Sequence, residues 1–207
     1  MPIVATRGNA GAFAYGFTAG AAGEVLGGMV LITPTSVDKT GTGSTATIGT
    51  NGSVSFSSCV TLSLNGVFNT DYDNYMIVMR NTLSLGGVQI YFRWRVSGSD
   101  NSTANSYVRQ YVEANGASVG AGRNTSDLAS VTYTDAGENG IMWNVYGPYL
   151  AQPTAYRTVT MSSANTVRIQ DYAGTHNQST SYDGFTLFPQ SSYSMTGLIS
   201  VYGLVGT

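Results

Sequence analysis

One cysteine, one histidine and one lysine occur in 207 residues. The lone thiol, Cys59, excludes an internal disulfide framework, a thiolate zinc cage and an iron–sulfur site. The lone His176 removes any centre that needs two imidazoles. Charge is scarce too. Charged residues make up 10% of the chain, the net charge is −2, and the eight arginines are scattered. With no basic run, phosphate-neutralising binding to nucleic acid is not expected. The N-terminus, MPIVATRGNAG, lacks a cationic segment followed by an apolar one. The nearby apolar stretch from Gly27 to Ile32 falls far short of the roughly 18 residues that span a bilayer, so no membrane insertion is expected. No ten-residue window places apolar side chains at i, i+3, i+4 and i+7, so helix is not expected either.

Small polar residues fill the space. Gly (26), Thr (25), Ser (23) and Asn (14) are about two-fifths of the chain, yet hydrophobic residues reach 42% with 14 Tyr, 7 Phe and 2 Trp. Disordered chains combine high charge with few aromatics. This chain has the opposite balance and enough apolar material for a packed core.

Composition shifts near Pro34. Residues 1–33 read as a Gly/Ala-rich arm with single aromatics, which cannot offset its ordering entropy alone. Its apolar side chains, Phe13, Tyr15, Phe17, Leu26, Met29 and Leu31 foremost, are expected to be buried against other copies or another protein. Residues 34–45 read as a polar linker, and 46–207 as one β domain. Within it Asn51-Gly52 separates two short alternating runs, a strong hairpin signal because both residues tolerate positive φ. Tyr75 to Met79 is a continuous apolar run, as in a strand buried on both faces. From Val88 to Ser97 the alternation is clearest. Val88, Ile90, Phe92, Trp94 and Val96 point one way; Gln89, Tyr91, Arg93, Arg95 and Ser97 point the other. Similar runs recur to residue 204, spaced by Gly, Asn, Asp, Ser or Pro. The pattern predicts an all-β fold, an antiparallel jelly-roll-like β-sandwich preceded by an extended arm.

Catalytic and metal motifs fail on context. Gly116-Ala117-Ser118-Val119-Gly120 matches a nucleophile elbow, with Asp171 and His176 following in hydrolase order, but the helix-hostile Gly120-Ala121-Gly122 comes next. A hairpin loop is the simpler expectation. Gly41 to Ala46 resembles a dinucleotide fingerprint without its strand, helix or acid. Asn69 to Asn74 alternates oxygen side chains like a calcium loop, yet Asn74 replaces the glycine and Arg80 the bidentate glutamate. Glycoside hydrolysis needs two carboxylates, which Glu113 and Asp135 could supply across strands. Most acids nevertheless sit in turns. No enzyme, cofactor or metal site is expected. His176, in a polar loop, reads as a surface residue, and Cys59 as a small core residue.

The β region resembles the C-terminal domains of bacteriophage fibre and other virion structural proteins, particularly those of marine and cyanobacterial phages. The residues that carry this are Tyr72-Asp73-Asn74-Tyr75 and the run from Tyr91 to Gly98. Tyr146-Gly147-Pro148-Tyr149-Leu150 with Pro153-Thr154, the run from Tyr182 to Leu187, and the terminal run from Gly197 to Leu204 add to it. Gly28 to Ile32 looks like the junction between a virion-anchoring arm and a globular domain. The resemblance covers roughly residues 28–207, and it rests on structural motifs. It implies a virion protein, usually homotrimeric, serving as fibre tip, tail accessory or head decoration. The arm, residues 1–33, would dock on tail, neck or head proteins, and the sandwich would meet a host-surface glycan. The long repetitive shaft of many fibres is missing from this chain, which keeps a purely structural subunit as the alternative. Loop aromatics beside Asn or Asp suit glycan contacts, and Tyr107, Asp100, Asn101 and Tyr149 are the candidates.

Overall fold

The computed structural model describes residues 28–134, 137–163 and 167–205. The described residues form sixteen strands and one 3-10 turn (Gln190–Ser192). In chain order the first eight strands are β1 (Gly28–Ile32), β2 (Ser36–Thr40), β3 (Thr45–Ile48), β4 (Val54–Cys59), β5 (Thr61–Asn65), β6 (Asn74–Leu83), β7 (Val88–Val96) and β8 (Ser99–Asp100). Then come β9 (Tyr107–Asn115), β10 (Ser118–Ser126), β11 (Ala129–Thr134), β12 (Glu138–Tyr146), β13 (Thr154–Ser163), β14 (Val167–His176), β15 (Gly184–Pro189) and β16 (Met195–Val205).

Two antiparallel sheets pack face to face. The large one has ten strands in the order β10-β9-β14-β13-β12-β6-β16-β4-β3, with β1 also paired to β16. The small one has six, β11-β7-β15-β5-β2, with β8 on β7. Between them lies an aromatic core. Trp94 of the small sheet stacks on Trp143 of the large one, centroids 5.4 Å apart, and Phe92 packs edge-on against Trp94 and Tyr156. Each such ring buries about 150–250 Å² and dominates the energetics of the core. Toward β9, β14 and β11 the interior turns polar. Gln170 accepts hydrogen bonds from the Thr132 hydroxyl (3.0 Å), the Thr160 hydroxyl (3.1 Å) and the Tyr133 amide (2.9 Å). It donates to Glu113 at 3.1 Å. Glu113 is therefore held in a structural network, and Asp135 lies outside the described residues.

The β-sandwich class agrees with the sequence pattern, and several local expectations hold. The Asn51-Gly52 hairpin joins β3 to β4 with Gly52 at φ +84°. Gly116 to Gly120 lies in the β9–β10 hairpin, Gly116 at φ +58°, so Ser118 opens a strand and not a helix. Cys59 is buried. The Asn69 side chain accepts from the Asp71 amide, as expected of a turn residue bonding its own backbone. Tyr72-Asp73-Asn74-Tyr75 and the terminal Tyr202-Gly203 meet in space. A Cβ on Gly203 would sit 2.4 Å from the Tyr72 ring, so only glycine lets that ring close over β16.

Three expectations need correction. Residues 34–45 are not a linker: Ser36–Thr40 is the edge strand β2, paired residue for residue with β5. The sandwich likewise takes in Gly28–Ile32, assigned above to the arm, because β1 pairs with the end of β16. Tyr75 to Met79 is buried on one face only. Tyr75, Ile77 and Met79 are in the core, whereas Val78 is exposed. The arm residues Phe13, Tyr15, Phe17 and Leu26 lie outside the described residues, while Met29 and Leu31 sit on β1, Met29 exposed and Leu31 half-buried.

Candidate functional site: a polar cleft on the small sheet

The strand alternation that sends Phe92 and Trp94 inward sends Arg93 and Arg95 to the outer face of the small sheet. There the register lines up Asp38, Ser63, Thr186 and Arg93 across β2, β5, β15 and β7. An outward arginine is normally solvated. Arg95 is instead 8% exposed, because β8 folds back on β7 and sets Asp100 opposite it. Its guanidinium bonds Asn65 Oδ1 (3.0 Å), Ser63 Oγ (2.9 Å), Asp100 Oδ1 (2.9 Å), Thr186 Oγ1 (2.8 Å) and the Gly98 carbonyl. Asp38 adds a second carboxylate at 3.8 Å. Only the planar fork of an arginine can hold so many acceptors at once.

Beside this cluster lies an open cleft of about 340 Å³ lined by Thr61, Arg93, Asp100, Thr186, Phe188 and Ser191 among others. Two of its walls are pre-set. Arg93 is drawn over the Phe188 ring, 5.3 Å from the centroid, and is tied to the Asp127 carboxylate and carbonyl. Burial opposes ionisation of Asp127, but hydrogen bonds and the Arg93 charge outweigh it and hold its carboxyl below the usual range. On the far rim Ser191 adopts φ +62°, a left-handed conformation uncommon for a non-glycine residue. Thr186 also donates to Asp100 Oδ1 at 2.6 Å. Among the described residues the hydrogen bonds to the Asp100 carboxylate all converge on Oδ1.

The remaining candidates support this cleft from behind. Tyr107 is a correction: it is 1% exposed and cannot touch a receptor. Its hydroxyl accepts from the Trp94 amide (3.0 Å) and donates to the Asn101 carbonyl (2.8 Å), and burial raises its pKa. Asn101, half-buried, donates from Nδ2 to the Tyr182 hydroxyl at 2.8 Å. That hydroxyl meets Nε2 of His176 at 2.6 Å. His176 is thus no surface residue. It is fully buried against Tyr107, and burial pushes its pKa down to about 4, so the ring is neutral. Together these groups fasten the segment after Asp100 to β7, β9 and β14. Tyr149 is half-buried against the core, away from the cleft lining.

Asp100 alone of the four candidates lines the cleft. Arg95, Thr186 and Phe188 were missed as site residues. Alternation showed Arg95 to be outward-facing, but its burial depends on Ser63 and Thr186, 32 and 91 residues away in sequence. The described residues contain no group of three or more His, Cys, Asp or Glu that could hold a metal ion. No family model matches the chain, and no match was found among the curated proteins or the solved structures.

Proposed function

We propose that this chain is a bacteriophage virion protein, a short fibre-like subunit docked through the N-terminal residues that precede β1. Its β-sandwich would present the small-sheet cleft to a saccharide of the host surface. The observation that carries the ligand class is the meeting of Asp100, the Arg93 guanidinium and the Phe188 ring in the lining of one open cleft. A sugar offers hydroxyls at its rim and an apolar C–H face, and such a site offers a few fixed polar groups around an apolar wall. The virion placement, the non-catalytic role and the homotrimeric state rest on the family resemblance. The ordered Arg95 network supports the cleft reading because it keeps Asp100 in one position before any ligand arrives.

A glycan array with the purified protein, together with competition for adsorption to host cells, tests this. Binding to a defined saccharide class is expected, with a loss of tenfold or more in Asp100→Asn and Arg93→Ala. No binding to any saccharide and no competition would sink the attachment role. A second reading, a head-decoration, neck or tail accessory subunit without a receptor, is favoured by a different surface, the bare apolar face of the large sheet. Antibody labelling of intact particles separates the two, since a receptor-binding subunit must leave the small-sheet cleft accessible.

A further inference from the structure

The large sheet shows solvent a face of unusual composition. Pairing registers set two rows across its strands. One runs through Val119, Ile169, Met161 and Leu198, with the small Ala114 and Gly140 and the charged Arg80 between them. The next runs through Val112, Val159, Met142 and Val78, with Asp171 between the first two. All eight of these large apolar side chains are between 42% and 83% exposed. Around Val112, Val119, Val159 and Ile169 the band dips into a shallow groove of about 280 Å³. Single exposed aliphatics are ordinary, but a contiguous band marks a surface that is covered in use.

We propose that this face binds the same face of a second copy of the chain, sheet against sheet across a two-fold axis. Three observations choose that occupant. First, the charges inside the band are already paired. Arg157 grips Asp171 with Nε at 3.0 and 3.1 Å from the two oxygens, and Arg80 lies 3.5 Å from Glu138. With those pairs made, the excess charge of this face is Arg123 out on β10 at the sheet edge, so the centre of the face meets its own copy without repulsion and calls for no oppositely charged partner. Second, the size is sufficient. The seven strands from β10 to β16 in the sheet order, at a spacing of about 4.8 Å and each about 30 Å long, give a face on the order of 1,000 Å², above the roughly 800 Å² per partner of a stable interface. Third, a two-fold contact uses one patch twice, whereas a head-to-tail ring needs two unlike complementary patches. Off this sheet the exposed large aliphatics of the described residues, such as Leu85, Val96 and Leu150, are scattered singly. Met142 and Met161 supply unbranched side chains that adapt to a facing copy. This contact does not depend on the virion reading, and it holds whether or not the residues that precede β1 also gather copies.

Light scattering on the full chain and on Val112→Lys/Met142→Lys tests the proposal. The wild type is expected at an even multiple of the chain mass, insensitive to salt. The variant should fall to half that mass with an unchanged far-UV spectrum. A wild type that stays single at high micromolar concentration overturns the proposal and assigns the face to a different protein. Equal mass in the two samples also overturns it. If the double variant does not fold, cross-linking decides. Val159→Cys should form covalent pairs with a flexible bis-maleimide long enough to cross the face, since Cys59 is buried, while Leu85→Cys in the β6–β7 loop should not. Equal pairing of the two, or none from Val159→Cys, rules the contact out.

Discussion

The two sheets face inward alike and outward differently. Both send large apolar side chains into one core, Phe92, Trp94 and Phe185 from the small sheet and Ile77, Trp143 and Val201 from the large one. On the outside the small sheet carries Asp38, Ser63 and Thr186, gathered by Arg95, and Arg93, held by Asp127, while the large sheet carries Val, Met and Ile that none of the described residues cover. Thus the polar outer face holds buried groups and the apolar outer face holds exposed ones. Exposure and polarity are separable. What a residue can reach across neighbouring strands decides the first, and its chemistry decides only what the face will bind.

The largest expected effect tests that inversion directly. Arg95→Ala leaves Asp100, Asn65, Ser63 and Thr186 without their shared donor, and a broken buried ion pair costs about 3–5 kcal/mol. Urea unfolding should show the loss, and Arg95→Lys should recover only part of it because an ammonium lacks the fork. A cost below that of an ordinary surface substitution would return Arg95 to the solvated class.

Next comes acid, acting behind the cleft. The folded pKa of His176 is about 4, below the 6.5 of the free side chain, so the unfolded chain binds the extra proton between those values. Its contribution to stability is complete above pH 6.5, falls as the pH drops and levels off below 4. The span corresponds to about 3 kcal/mol. Comparing stability against pH for the wild type and His176→Gln isolates this contribution from that of the carboxylates; parallel curves would show that the imidazole is not buried as described.

Gly203→Ala is expected to cost about 1–3 kcal/mol by forcing the Tyr72 ring off β16, readable as a lower melting temperature. Equal stability of Gly203→Ala/Tyr72→Ala and Tyr72→Ala would assign the loss to that contact. Smallest of all, Val159→Thr on the open face of the large sheet should change the stability of the separated chain by no more than about 0.5 kcal/mol. A larger loss in the single chain would mean that the face is covered from within.

Much of the fold was legible in the chain. Period-two alternation from Val88 to Ser97 named the inward set through Trp94, and Asn51-Gly52 marked a hairpin, because side-chain direction in a strand and positive φ in a turn are local properties. The errors share one cause. Residues 34–45 hold a single large apolar side chain besides Pro34, Val37, too little to announce a strand, yet with Val37 on the core Ser36–Thr40 pairs along β5 as an edge. Val78 sits in an unbroken apolar run, and nothing local says that its face stays bare. Tyr107 and His176 stand in polar surroundings, yet their rings pack on each other, His176 also meets Tyr182, and Tyr107 bonds the Asn101 carbonyl. Of the site, Asp100 was legible as an acid in a loop context. The partners that make it a cleft wall were not.

Composition and alternation alone were enough for the class, an all-β chain with most of its inward residues marked. Tertiary structure decided which outward residues are covered. Ser63 meets Thr186 across 123 residues of chain and Arg95 meets Thr186 across 91, distances over which no local pattern carries information. An alternating strand states only that its two faces differ. Which one meets solvent, a folded-back segment or another surface depends on strand order, and strand order is set by long-range pairing after the local choices are made.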